Sequence, residues 1–149
     1  MRLGPGIAIL CGTLVVGTLD ALDAIVFFGY RGATPVRIFQ SIAAGLLGRS
    51  AFQGDNRTAW LGVALHYLIA FLIVLVYYVI SRRVRFLTDH AMVSGMAYGV
   101  AVYVVMNYIV IPLSAAIQGA FSLPVFVNGI LIHMFGVGLP AALFARMAR

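Results

Sequence analysis

Four apolar runs constrain this chain more than any other feature. They cover about residues 6–30, 59–80, 91–111 and 123–147. At helical rise, about 20 residues cross a hydrocarbon core of about 30 Å. A helix satisfies its own backbone N–H and C=O groups, so helical spans are the expected solution in lipid. Of the 149 residues, 63% are hydrophobic and 9% charged, against about 45–50% and about 25% in a soluble domain. The expected fold is all-α, a polytopic membrane bundle of four transmembrane helices forming one integral-membrane domain over residues 1–149.

The first connection is not loop-like. Residues 34–52 read TPVRIFQSIAAGLLGRSAF, and Thr34 followed by Pro35 is a helix start. Arg37, Gln40, Ser41, Ala44 and Gly48 share one face, and Val36, Phe39, Ile42, Ala43, Leu46 and Leu47 fill the rest. This segment is short for a span, so an amphipathic helix lying in the interface or re-entering the membrane is expected. Asn56 or Thr58 can cap the second span and Thr88 or Asp89 the third. Pro112 should end the third span. Pro140 should kink the fourth and free the carbonyl of Gly136. Tyr30, Trp60, Tyr77, Tyr78 and Tyr108 fall near span ends, where interfacial aromatics gather.

All ten basic residues are arginine. They lie between the apolar runs rather than on one face, which points away from nucleic acid and towards a lipid bilayer. Four spans put both termini on one side. That side carries Arg2, Arg82, Arg83, Arg85, Arg146 and Arg149, six in all, against four, Arg31, Arg37, Arg49 and Arg57, on the other. The positive-inside rule then places the termini in the cytoplasm. An Ala-, Gly-, Val- and Arg-rich composition without lysine suggests a bacterial inner membrane. Segment 1–30 is expected to stay as a helix rather than be cleaved as a signal peptide, because its apolar run continues past the aspartates. The single cysteine, Cys11, allows no internal disulfide.

Two of the four acidic residues, Asp20 and Asp23, sit inside the first span. Counting from the ends distant from the termini, they lie roughly 15 and 10 Å deep. His66 in the second span, Asn107 in the third, and Asn128 and His133 in the fourth fall at similar depth. These six side chains define one expected intramembrane polar layer. Ionisable groups in a membrane face protein or water, because exposure to lipid costs several kcal/mol. Asp20 and Asp23 are three residues apart and share a face. Two carboxylates in low dielectric call for something positive nearby. The candidates are His66, His133, a counter-charge from Arg31 or Arg37, a proton or a metal ion.

Several functions fit this layer. It can be a transport or proton-relay site, making the chain a small transporter or a proton- or cation-handling protein. It can be packing alone, in a non-catalytic accessory or structural subunit of a membrane complex or homo-oligomer. Asp20, Asp23, His66 and His133 are also candidate metal ligands, and His66 with His133 could hold a haem. The chain has no Walker loop, dinucleotide fingerprint, cysteine pair or HExxH, so no enzyme class is indicated and no cofactor is required. Gly95 and Gly99, and Thr13, Gly17 and Ala21, form small-residue faces suited to close helix packing, more within the bundle than between subunits.

The stretches LDALDAIVFFGYRG, RIFQSIAAGLLG and ALHYLIAF, which together cover the first half, resemble small four-helix bacterial inner-membrane proteins of the YagU-like kind. The resemblance implies a fold and a compartment, and carries no activity or substrate. It also points to the first connection as part of the working site, with Arg37 folded back towards Asp23.

Overall fold

The structure, a computed structural model, describes residues 3–148; Arg2 and Arg149, used in the arginine count, lie outside that range. Six helices follow in order: α1 (Pro5–Gly29), α2 (Pro35–Leu47), α3 (Asp55–Arg83), α4 (Phe86–Asp89), α5 (Ala91–Leu113) and α6 (Leu123–Met147). Helices α1, α3, α5 and α6 are each long and apolar enough to cross a membrane. Only 17–28% of each span is buried within the protein, and Leu10, Leu22, Leu68 and Leu131 point outwards. Such an apolar exterior matches a multi-pass membrane protein, whose solvent is hydrocarbon.

Local chemistry sets several helix ends. Pro5 opens α1 and Pro35 opens α2, where a missing N–H leaves no bond unmade. Thr34 accepts from the Arg37 N–H at 3.3 Å. Gly48, at φ 60°, stops α2, a backbone region in which glycine avoids a Cβ penalty. A 3-10 stretch, Gly48–Gln53, leads into α3.

Other ends depart from expectation. Neither Asn56 nor Thr58 caps α3. The helix starts at Asp55 behind Gly54, and Thr58 donates back to the Ala51 carbonyl at 2.6 Å. Thr88 and Asp89 belong to α4, so the cap position of α5 falls on His90.

The spans pack with α6 at the centre, in contact with α1, α3 and α5, while α1 also packs on α3. The core is made of small residues: Ala8, Val16, Ala70, Val74, Ala141, Ala142 and Ala145 are almost fully buried. Small side chains let apolar helices approach closely. The Gly95–Gly99 face is occupied inside the chain. A Cβ on Gly138 would overlap the Gly95 carbonyl, and one on Gly99 would overlap the His133 carbonyl.

α3 and α5 meet through tyrosines instead. Tyr98 donates to the Ile73 carbonyl at 2.8 Å. Tyr77 donates to the Leu87 carbonyl at 2.9 Å and lies 2.8 Å from the Ser94 hydroxyl. Tyr77 is 1% exposed, so it is a core residue rather than an interfacial anchor. Trp60, Tyr30 and Tyr108 are exposed, as span-end aromatics should be. Removing the Tyr77 hydroxyl deletes its buried hydrogen bonds, although Ser94 Oγ still donates to the Leu87 carbonyl at 2.8 Å. Tyr77→Phe should therefore lose about 1 kcal/mol of stability, read as a lower melting temperature in detergent beside Tyr108→Phe as an unaffected control.

Helix α2 packs along the outer part of α3, but with a different face from the one its polarity suggests. Ile38, Gln40, Ala43 and Ala44 are buried, while Leu46 is 65% exposed. Gln40 donates to the Asp55 carbonyl at 2.9 Å, which satisfies a polar group inside the contact. Gly62 of α3 meets the backbone of Phe39 directly, with no space for a Cβ. Closeness of approach decides the buried face, so small residues turn inwards and large apolar ones outwards. At the same end of the bundle the α5–α6 connection is tied to α2 by Ala115 N–H to the Gly45 carbonyl at 2.9 Å. At the opposite end Leu3 N–H bonds the Met147 carbonyl at 2.8 Å, which brings the two termini together.

Candidate functional site

A cavity of about 530 Å³ opens between α1, α3, α5 and α6, under α2 and the α5–α6 connection. Asp20, Asp23, His66, Asn107, Asn128 and His133 all line it. The structure thus brings the six polar residues of the sequence together around one space, though they play unequal parts.

His66 is 8% exposed. Its Nε2 lies 2.7 Å from the Gly17 carbonyl. A carbonyl only accepts, so Nε2 carries a hydrogen. Edge-on contacts with Phe39 and Tyr67, at 6.2 and 5.4 Å between ring centres, hold the ring in place. The other nitrogen, Nδ1, faces Asp20 Oδ2 at 4.0 Å. The Gly17 carbonyl therefore fixes the tautomer and leaves Nδ1 free to take or share a proton with Asp20. A shift of about 1 Å would bring the pair to hydrogen-bond distance.

Asp20 has no hydrogen-bond partner among the described residues, and its side chain is 29% exposed. Its electrostatic neighbours are His133, His66 and Asp23. Asp23 differs, since its Oδ2 accepts from Asn128 Nδ2 at 2.7 Å, joining α1 to α6. The two carboxylates are one helical turn apart, one tethered and one open.

His133 and Asn107 sit where their helices widen. Residues Met106–Val110 and His133–Gly138 are π-wound. In each, an N–H reaches back five residues, from Ile111 to Met106 and from Leu139 to Met134. Pro112 and Pro140 follow at once and cannot donate to the ordinary i−4 carbonyl. The kink expected at Pro140 thus takes the form of a π turn before it. Pro112 does not end α5 but lies within its last turn, Ile111–Leu113. Such turns inside α-helices recur at functional sites. His133 Nδ1–H donates to the Gly129 carbonyl at 2.8 Å, so Nε2 is the nitrogen left available. Asn107 Nδ2 is bonded to the Tyr103 carbonyl at 3.0 Å, away from the acids.

The arginines do not join this group. Arg37 stacks over Phe52 at 4.2 Å and Arg31 lies over Phe27 at 5.7 Å. Both are exposed, and neither is within ion-pair distance of Asp20 or Asp23. The expected counter-charge, and the folding back of Arg37 to Asp23, are not what the structure holds. An aromatic face at the surface keeps each guanidinium hydrated.

The metal reading fares similarly. Among the described residues no three His, Cys, Asp or Glu side chains come together as a ligating group, so Asp20, Asp23, His66 and His133 do not fit a shared metal ion. Each histidine commits one nitrogen to a backbone carbonyl, and the free nitrogen of His66 faces Asp20.

Sequence reasoning missed Tyr103, Ser41 and Ser114 in the lining. Both serines donate to local backbone carbonyls, at 2.6 and 2.8 Å, so no signal set them apart. No family model, no curated protein and no solved structure matches this chain.

Proposed function

We propose that this chain is a small cation-handling transporter of a bacterial inner membrane, with cytoplasmic termini, in which Asp20 alternates between holding a proton and holding a cation. One observation carries the reading. Asp20 reaches the cavity without a hydrogen-bond partner among the described residues, whereas a packing role would pair it. A carboxylate at membrane depth that is not held by a hydrogen bond is a functional group by default.

The exchange balances simply. A cation that enters beside protonated Asp20 releases one proton and leaves a carboxylate–cation pair. His66 Nδ1 stands next to Asp20 to receive that proton. The π turns at Asn107 and His133 are places where α5 and α6 can change register at low cost. A structural role suits Asp23 better, because its bond to Asn128 links two helices.

The test uses proteoliposomes with a pH gradient and an interior pH dye. Sodium, potassium, magnesium and tetramethylammonium chlorides are added outside in turn. The reading predicts that at least one of them discharges the gradient faster than in protein-free liposomes. No response to any of the four, nor to a larger organic cation such as benzyltriethylammonium, contradicts it.

A further inference from the structure

We infer that the cavity accepts a lipophilic organic cation, a positive centre on an apolar body, rather than a bare inorganic ion. This rests on the cation reading above and names its substrate class.

Charge comes first. The chain carries ten arginines and four aspartates, yet no arginine lines the cavity and two of the aspartates do. An anionic or zwitterionic ligand would find no permanently charged cationic partner there, only the two histidines, and would face two carboxylates. A cation meets Asp20, and it also finds the face of Tyr103, since aromatic rings attract positive centres.

Size and chemistry then separate the cations. A volume of about 530 Å³ is within the roughly 300–1,000 Å³ typical of small-molecule sites. It equals the liquid volume of roughly fifteen to twenty waters, far more than a proton or a single dehydrated ion needs. Hard inorganic ions require several converging oxygens, and no ligating group of three assembles here. The walls instead carry aliphatic side chains such as Leu65, Ile69, Val125 and Ile132. They sit on two facing helices, α3 and α6, and offer a surface that only an apolar body can use.

The direction of entry follows from the lining. Gly45 and Leu46 of α2 and Ala116 of the α5–α6 connection bound one end of the cavity. At that end the Ala115 N–H bonds the Gly45 carbonyl at 2.9 Å, joining the two segments. The positive centre would sit at Asp20, with the apolar body extending towards α2.

Tetraphenylphosphonium and tetraphenylborate have one shape and opposite charge, so they separate charge recognition from greasy adsorption. Each is titrated into detergent-purified protein by equilibrium dialysis. Saturable binding of tetraphenylphosphonium, at one per protein, is expected, with tetraphenylborate at least tenfold weaker. Asp20→Asn should weaken tetraphenylphosphonium binding by about tenfold or more. Ala116→Trp, which puts a large side chain at a lining position on the connecting segment, should do likewise with an unchanged gel-filtration profile. Equal binding of the two ions, or binding that ignores both substitutions, overturns the inference. If sodium or potassium discharges the liposome gradient while tetraphenylphosphonium does not bind, the substrate class is wrong and the cation reading stands. If neither occurs, both fall.

Discussion

Asp20→Asn should abolish cation-driven proton movement in liposomes and leave the bundle folded. Asparagine keeps the size of the side chain and removes its ability to exchange a proton or balance a cation. Asp20 makes no hydrogen bond to a described residue, so the substitution breaks none and alters only the 4.0 Å approach to His66. Losing one partner of a buried charge pair costs about 2–5 kcal/mol, which corresponds to a fall of roughly 30- to 5,000-fold in exchange at low cation concentration. Asp23→Asn behaves differently, because its carboxylate is tethered to Asn128 at 2.7 Å. That variant should lose thermal stability along with some activity. The two are compared by exchange rate and by melting temperature in the same detergent. Equal exchange in Asp20→Asn and the parent would remove Asp20 from the mechanism.

Gly99→Val should prevent the bundle from assembling. A Cβ at Gly99 overlaps the His133 carbonyl and comes within 2.8 Å of the Met134 Cα. Overpacking a core usually costs about 1–3 kcal/mol when side chains can give way. Here the obstacle is backbone, in the π turn that also carries His133, so the cost should exceed that range. The expected result is loss of the monodisperse gel-filtration peak and rapid proteolysis. Gly6→Val, at a glycine with nothing within 4 Å, is the matched control and should behave as the parent. A folded Gly99→Val would mean that α5 and α6 do not cross where the structure has them.

The spans and the polar layer were legible because both follow from depth and hydropathy alone. Twenty apolar residues have few other ways to fold in lipid, and counting rise along each helix is enough to set Asp20, His66, Asn128 and His133 at one level. What the sequence concealed depends on which surface is crowded. The division of α2 into a polar and an apolar face did not say which residues α3 would bury. Contact with α3 instead selects by size, so Ala43 and Ala44 go in and take Gln40 with them, while Leu46 remains outside. Tyr77 looked interfacial by position, yet the Leu87 carbonyl and Ser94 hydroxyl offer its phenol a buried partner. Proline announced a disturbance at residues 112 and 140, but not that a π turn would absorb it. The arginines were assigned to the acids by charge alone. Phe27 and Phe52 lie closer and leave the guanidiniums at the surface.

The most direct measurement is an acid-minus-alkaline infrared difference spectrum of the protein in lipid, recorded for the parent and for Asp20→Asn. The C=O stretch of a protonated carboxyl reports each aspartate that exchanges a proton with the medium. The account predicts a titrating carboxyl band in the parent that is absent from Asp20→Asn, which shows the cavity carboxylate in contact with solution. Identical spectra would mean that Asp20 never changes its proton, and proton–cation exchange at this cavity would be contradicted.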